Sequence, residues 1–98
     1  MEKIARLMEH ISKSLDAGRY LDTRHATDRQ NERAITRPEI LYVLRHGYHE
    51  KRKDRFETQY QGWNYAIRGK TIDLRELRII VSFDKNLMLV ITAIDLNL

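Results

Sequence analysis

Apolar residues recur along this chain with two rhythms, and the change between them falls near its middle. Ile4, Leu7, Met8, Ile11 and Leu15 stand three or four apart, opposite Glu2, Lys3, Arg6, Glu9 and Lys13. That spacing predicts an amphipathic helix over residues 2–17, ended by Gly18, whose stripe packs on the domain's own core or on a partner. Tyr20 to Asp22 reads as a short, extended connection into Thr23, an N-cap for a second helix. Thr36-Arg37-Pro38-Glu39 then has the form of a capping box, in which the Thr36 hydroxyl takes the N–H of Glu39 and the Glu39 carboxylate reaches back to the N–H of Thr36. A further helix therefore starts there and buries Ile40, Leu41, Val43 and Leu44. Ile35 and Ile40 are placed as a hydrophobic staple, and Gly47 suits a left-handed terminus after His46.

Beyond Gly47 the period drops to two. Trp63, Tyr65 and Ile67 alternate with Asn64, Ala66 and Arg68, while Leu77, Ile79, Val81 and Phe83 alternate with Arg78, Ile80 and Ser82. Both are patterns of half-buried strands. Gly69 and Lys70 break the first strand, Thr71 to Arg75 forms a loop or irregular hairpin, and Asp84-Lys85-Asn86 makes a compact turn. Leu87 to Leu96 is apolar on both faces, as a central strand covered on both sides would be. Another strand is expected near Phe56 to Tyr60, entered from a charged loop at Glu50 to Arg55 and left by a turn at Gly62. Helices first and strands afterwards predict an α+β fold, with N-terminal helices packed on one face of a roughly four-stranded antiparallel sheet. The expected organisation is a single domain over 1–98: an amphipathic helix at 1–18, a helix pair at 23–47 and the sheet at 54–96.

Ninety-eight residues support one modest core. The net charge of +4 is unevenly spread. Between residues 45 and 55 alone, Arg45, Lys51, Arg52, Lys53 and Arg55 outnumber Glu50 and Asp54. A basic surface of this kind suits a polyanion, because each phosphate it contacts releases counterions; it is equally the mixed-sign surface of many soluble proteins. The chain contains no cysteine, so neither a disulfide framework nor a thiolate zinc site is available. No signal-peptide core and no run of membrane-spanning length occurs, and a cytoplasmic protein without membrane attachment is expected.

One stretch carries the chemistry. In a helix from Thr23, His25, Arg29 and Arg33 follow at i, i+4 and i+8, so an imidazole and two guanidiniums share a face. His25-Ala26, Arg29, Glu32-Arg33, Ile35-Thr36, Glu39-Ile40, Leu44 and Gly47 resemble the signature of a small bacterial family of unknown function. That family is compared with the RelE-like ribonuclease toxins, a superfold that includes barnase, EndoU and the colicin nucleases. The similarity continues through Trp63-Asn64-Tyr65, Gly69-Lys70, Leu77 and Phe83 to Val90-Ile91-Thr92. It implies the same α+β architecture and a metal-independent ribonuclease of toxin–antitoxin type. In one departure, Ala93 and Ile94 follow Thr92 where the family usually places an aromatic.

Cutting RNA without a metal requires a base for the 2′-hydroxyl, cations on the phosphoryl oxygens and an acid for the leaving 5′-oxygen. His25 can act as acid or base, Arg29 and Arg33 can bind phosphate bidentately, and Thr92 can donate a hydrogen bond to phosphate or orient His25. The plainer alternatives are a helix-start histidine bonded to backbone, arginines paired with Asp28 or Glu32, and a buried strand threonine. Arg37, Lys51, Arg52, Lys53, Arg68, Lys70 and Arg78 are candidate nucleic-acid contacts, and Trp63 and Tyr65 could stack bases or fill the core. His46 and His49 have an H-x-x-H spacing, but too few acids accompany them to complete a metal shell, so neither a metal nor a cofactor is expected. The expected partners are RNA, free or on the ribosome, and an antitoxin-like protein or a second copy. The alternative is a non-catalytic module on the same fold that binds RNA or protein.

Overall fold

A computed structural model describes residues 2–23 and 34–97. Among these residues the helices are α1 (Leu7–Asp16) and α2 (Arg37–His46), with a short 3-10 turn at Lys51–Lys53. The strands are β1 (Tyr20–Asp22), β2 (Tyr48–His49), β3 (Arg55–Glu57), β4 (Gly62–Lys70), β5 (Glu76–Asp84) and β6 (Leu87–Asp95). They form one sheet in the order β1-β6-β5-β4-β2, with β3 also paired to β4. β1 runs parallel to β6 and the other pairs are antiparallel. The fold is α+β, as expected. Its sheet is wider than the expected four strands by β1 and β2, which have too few residues to show a period of two, while the strand expected near Phe56 to Tyr60 is β3, at Arg55–Glu57.

α1 begins at Leu7, not residue 2. Arg6 stands in the left-handed region at φ 52°, and the segment before it leaves the helix axis, with the Ile4 N–H donating to the Tyr65 hydroxyl at 2.9 Å. The predicted stripe is otherwise in place, with Leu7, Ile11 and Leu15 buried. Gly18 has φ +67°, and the N–H groups of Gly18 and Arg19 donate to the carbonyls of Leu15 and Ser14. This is the Schellman ending for which glycine is suited.

α2 starts with the predicted capping box. The Glu39 N–H donates to Thr36 Oγ1 at 3.3 Å, and the Thr36 N–H donates to Glu39 Oε1 at 2.8 Å. Ile35 and Ile40 are both buried beside it. Gly47 departs from expectation, because it is extended (φ −82°, ψ −167°). Its glycine is required by contact instead: a Cβ there would lie 2.5 Å from the Arg68 carbonyl oxygen and 2.7 Å from that of Val43. A Cβ on Gly69 would come 2.9 Å from the Gly47 Cα. The end of α2 thus lands backbone to backbone on β4, which explains why Gly69 and Lys70 continue that strand instead of breaking it.

Both helices cover one face of the sheet. Tyr65 and Ile67 from β4, Leu77, Ile79 and Val81 from β5, and Met88, Val90 and Ala93 from β6 pack with Leu7, Ile11, Ile40, Val43 and Leu44. A fully buried aliphatic side chain of this size contributes roughly 1.5–3 kcal/mol, so this face dominates stability. No helix among the described residues is long and apolar enough to cross a membrane.

Candidate nucleic-acid interface

The second face of the sheet carries the polar chemistry, and a bulge decides which residues reach it. Along β5 and β6, Phe83 faces Met88 and Val81 faces Val90, but Ile80 then faces Thr92. Ile91 is therefore an extra residue in β6, and the side-chain alternation reverses across it. Met88, Val90 and Ala93 all enter the core, while Leu89, Thr92 and Ile94 lie on the face without a described helix. Unbulged pairing would have set Thr92 opposite Ile79, in the core. It is half-buried on the open face instead, next to Ile80.

His25, Arg29 and Arg33 lie outside the described residues, as does the helix expected from Thr23 onward. The two described ends of that stretch are both tied to β6. At the leading end the Thr23 N–H donates to the Val90 carbonyl at 3.0 Å, and its hydroxyl donates to that of the bulged Ile91 at 3.3 Å. At the trailing end the Ala34 carbonyl accepts from Arg75 Nη1 at 3.1 Å, and Arg75 Nε donates to Asp95 Oδ2 at 2.7 Å. The anchors fall on either side of Thr92. Arg75 also reaches Glu39 at 3.4 Å, so it ties the cap of α2 to the end of β6. Hydrogen bonding by Asp95 raises the Arg75 pKa above its ordinary value. The Thr36 N–H, assisted by Arg75, holds the Glu39 carboxyl below its own.

The predicted nucleic-acid contacts divide by environment. Arg68 and Arg78 are cross-strand partners on the open face, a like-charge pairing that would be unfavourable alone. Glu50, buried between them, resolves it: Oε1 accepts from Arg78 Nε at 2.7 Å, and Oε2 accepts from Arg78 Nη2 and Arg68 Nη1, each at 3.2 Å. Arg68 also donates to Glu76 at 3.0 Å. Hydrogen bonding from Arg78 above all holds the Glu50 carboxyl below its ordinary range, while Glu76 and then Glu50 raise Arg68. Arg37 is 3.9 Å from Asp22 and lies over the Tyr20 ring. Lys51, Arg52 and Lys53 are exposed on the 3-10 turn, and Lys70 is exposed at the end of β4. Of the two alternatives for the aromatics, stacking bases or filling the core, the structure has the second. Tyr65 is buried in the core, and Trp63 packs edge to face with Phe56 under the Lys3 ammonium.

The H-x-x-H histidines have separate engagements. His46 Nδ1 meets the Tyr42 carbonyl at 3.0 Å, while His49 Nε2 bonds Asp54 Oδ2 at 2.7 Å. Asp54, whose side chain is fully buried, also accepts from Lys3 at 2.9 Å and from the Ala66 N–H at 2.9 Å. Three donors offset the cost of burying that charge, and they clamp the N-terminal segment to β4.

A family model described as a domain of unknown function, DUF4258, matches residues 23–95. The chain belongs to the DUF4258 family. Neither a curated protein nor a solved structure matches it. The DUF4258 match takes in the 24–33 stretch, both of its anchors, α2, Glu50 and every strand from β2 to β6. α1 and β1 precede it. Arg75 and Glu50 escaped the sequence reading because their importance lies in partners 20 and 28 positions away along the chain.

Proposed function

We propose that this DUF4258 chain is a metal-independent ribonuclease of the RelE-like toxin kind, acting on RNA laid across the open face of the sheet. The observation that carries the reading is the placement of the two anchors. Thr23, two residues before His25, is bonded to β6 at the bulge adjoining Thr92, and Ala34, the residue after Arg33, is held through Arg75 to Asp95. The described residues that flank the stretch bearing the imidazole and the guanidiniums are thus tied to β6 on either side of Thr92. His25 moves a proton at the 2′-hydroxyl or the leaving 5′-oxygen, Arg29 and Arg33 hold the phosphoryl charge, and Thr92 donates to the phosphate or orients His25. Attack of the 2′-oxygen on phosphorus breaks the bond to the 5′-oxygen. The products are a 2′,3′-cyclic phosphate and a 5′-hydroxyl.

The test combines purified protein, with and without ribosomes, and induced expression in bacteria. Wild type is expected to arrest growth and to leave cyclic-phosphate ends on RNA, and folded His25→Ala and Arg29→Ala to do neither. RNA left intact both free and on ribosomes overturns the reading. A second reading, binding without cleavage, is favoured by one observation: the described residues Lys53, Arg55 and Arg78 line a basic cleft on this face. A protein partner covering this face would silence either activity.

A further inference from the structure

We infer that the cleft between the 3-10 turn and strands β3 to β6 is a subsite for one nucleotide of single-stranded RNA. The inference rests on the RNA-binding part of the reading above and is independent of whether the RNA is cut. Lys53, Arg55, Asn64 and Arg78 line the cleft, with Ile80 and Ile94 as its floor, and its volume is about 330 Å³. The register explains their convergence. Arg55 faces Asn64 across β3 and β4, Arg78 faces Ile94 across β5 and β6, and Ile80 faces Thr92. The five strand residues therefore share the open face, Lys53 lines the cleft from the 3-10 turn, and the floor runs directly to Thr92.

The polar rim is a set of donors. Among the described residues no carboxylate lines the cleft, and neither Lys53 nor Arg55 has an ion pair. Asn64 Oδ1 already accepts from the Tyr60 hydroxyl, so its amide N–H groups are what it can offer a ligand. Arg78 donates Nε and Nη2 to Glu50, which sets the plane of the guanidinium and leaves Nη1 for the cleft. Glu50 thereby orients a phosphate contact instead of abolishing it. A ligand that meets such a rim presents acceptors and negative charge, and one that covers Ile80 and Ile94 presents a flat apolar face.

A nucleotide with an unstacked base has both features. A duplex has the phosphates but hides its base faces, and the volume lies at the lower end of small-ligand pockets, enough for one base and its phosphate. The cations that sequence reading grouped together are thus separated: Lys53 and Arg78 belong to the subsite, Arg55 and Asn64 join them, and Arg37, Arg68 and Lys70 lie apart. Because Thr92 adjoins the floor, the bound nucleotide neighbours the phosphate assigned to cleavage.

The deciding experiment is fluorescence anisotropy with a short 2′-O-methyl RNA, which lacks the nucleophilic hydroxyl and so reports binding alone, run beside a duplex of the same sequence. A Lys53→Ala/Arg55→Ala double variant is expected to bind the single strand roughly tenfold more weakly, with the log–log salt slope reduced by about 1.4 for two lost phosphate contacts. Asn64→Ala should weaken binding less, the exposed Lys13→Ala should leave it unchanged, and the duplex should bind more weakly than the single strand. An unchanged affinity and slope in the double variant, or a duplex that binds equally well, overturns the subsite. Single-strand binding that depends on Lys53 and Arg55 in a protein that cuts nothing would retain the subsite while the nuclease reading fails. Cleavage that survives both substitutions undiminished would do the reverse.

Discussion

The two faces of the sheet are written in the same three long strands, one residue for each side in turn, yet they differ in what they can tolerate. Ile79 is sealed under the helices, whereas its neighbour Ile80 is half-buried on the other face and forms part of the cleft floor. The helix side is held by apolar burial and by contacts as close as backbone on backbone at Gly47 and Gly69. The open side is held by ion pairs and keeps donors unspent. Concentrating stability on one face leaves the other free to carry charge next to apolar surface, an arrangement that a second core would abolish.

The largest effect should come from the covered face. Ile79→Ala is expected to cost about 2–5 kcal/mol in chemical denaturation, through lost transfer energy and the cavity left behind. Ile80→Ala, one position along, should cost only roughly 1 kcal/mol because its burial is partial, while weakening binding of single-stranded RNA. Equal losses for the two would mean that the open face is a second core. Gly47→Ala should come next, at about 2–3 kcal/mol, because the added methyl meets two carbonyl oxygens that cannot move independently of α2 and β4. Its unfolding midpoint should fall with no change in the surface charges; a neutral outcome would show that the helix end can retreat from the strand.

Glu50→Gln sharpens the contrast from the open side. Removing the shared carboxylate leaves Arg68 and Arg78 facing each other, and at neutral pH the expected cost is about 2 kcal/mol, less than for a fully enclosed pair because Arg68 keeps contact with water. The folded-state pKa of Glu50 lies below its ordinary 4.5, so its contribution is complete above that value and disappears as pH falls through the lowered one. The gap between wild type and variant, followed by urea midpoints, should therefore close on acidification. A gap that stays constant would assign the loss to packing. The smallest effect is expected at the edge of both regions. Thr36→Ala should cost about 1 kcal/mol by removing the cap of α2, and this would appear as a modest drop in thermal midpoint.

Local chemistry was legible along the chain because its partners are near neighbours. The box between Thr36 and Glu39, the Ile35–Ile40 staple, the Gly18 ending and the β5–β6 hairpin need only residues a few positions apart, and each stands where the pattern indicated. Of the short strands, β1 and β2 were not legible as members of the sheet. β1 has three residues, and pairing in parallel with a strand almost seventy positions away leaves no local period. In the candidate site, Thr92 was singled out only by the resemblance to the family motif, as its polar residue on the last strand. Arg55 and Asn64 were not recognisable as companions, since only the β3–β4 register sets one opposite the other.

The sequence alone therefore determined the α+β class, both described helices with the Gly18 ending of α1 and the Thr36 cap of α2, and the three long strands, because periodicity and capping act over one or two turns of chain. Tertiary structure alone decided which face each polar residue serves. The alternation of a strand inverts with a single inserted residue, and the Ile91 bulge is a property of how β6 meets β5 and Thr23, not of β6 itself. The same reason places Glu50 between two arginines and makes Gly47 a point of contact instead of a left-handed turn. Each of these outcomes depends on what an element packs against, which local spacing does not encode.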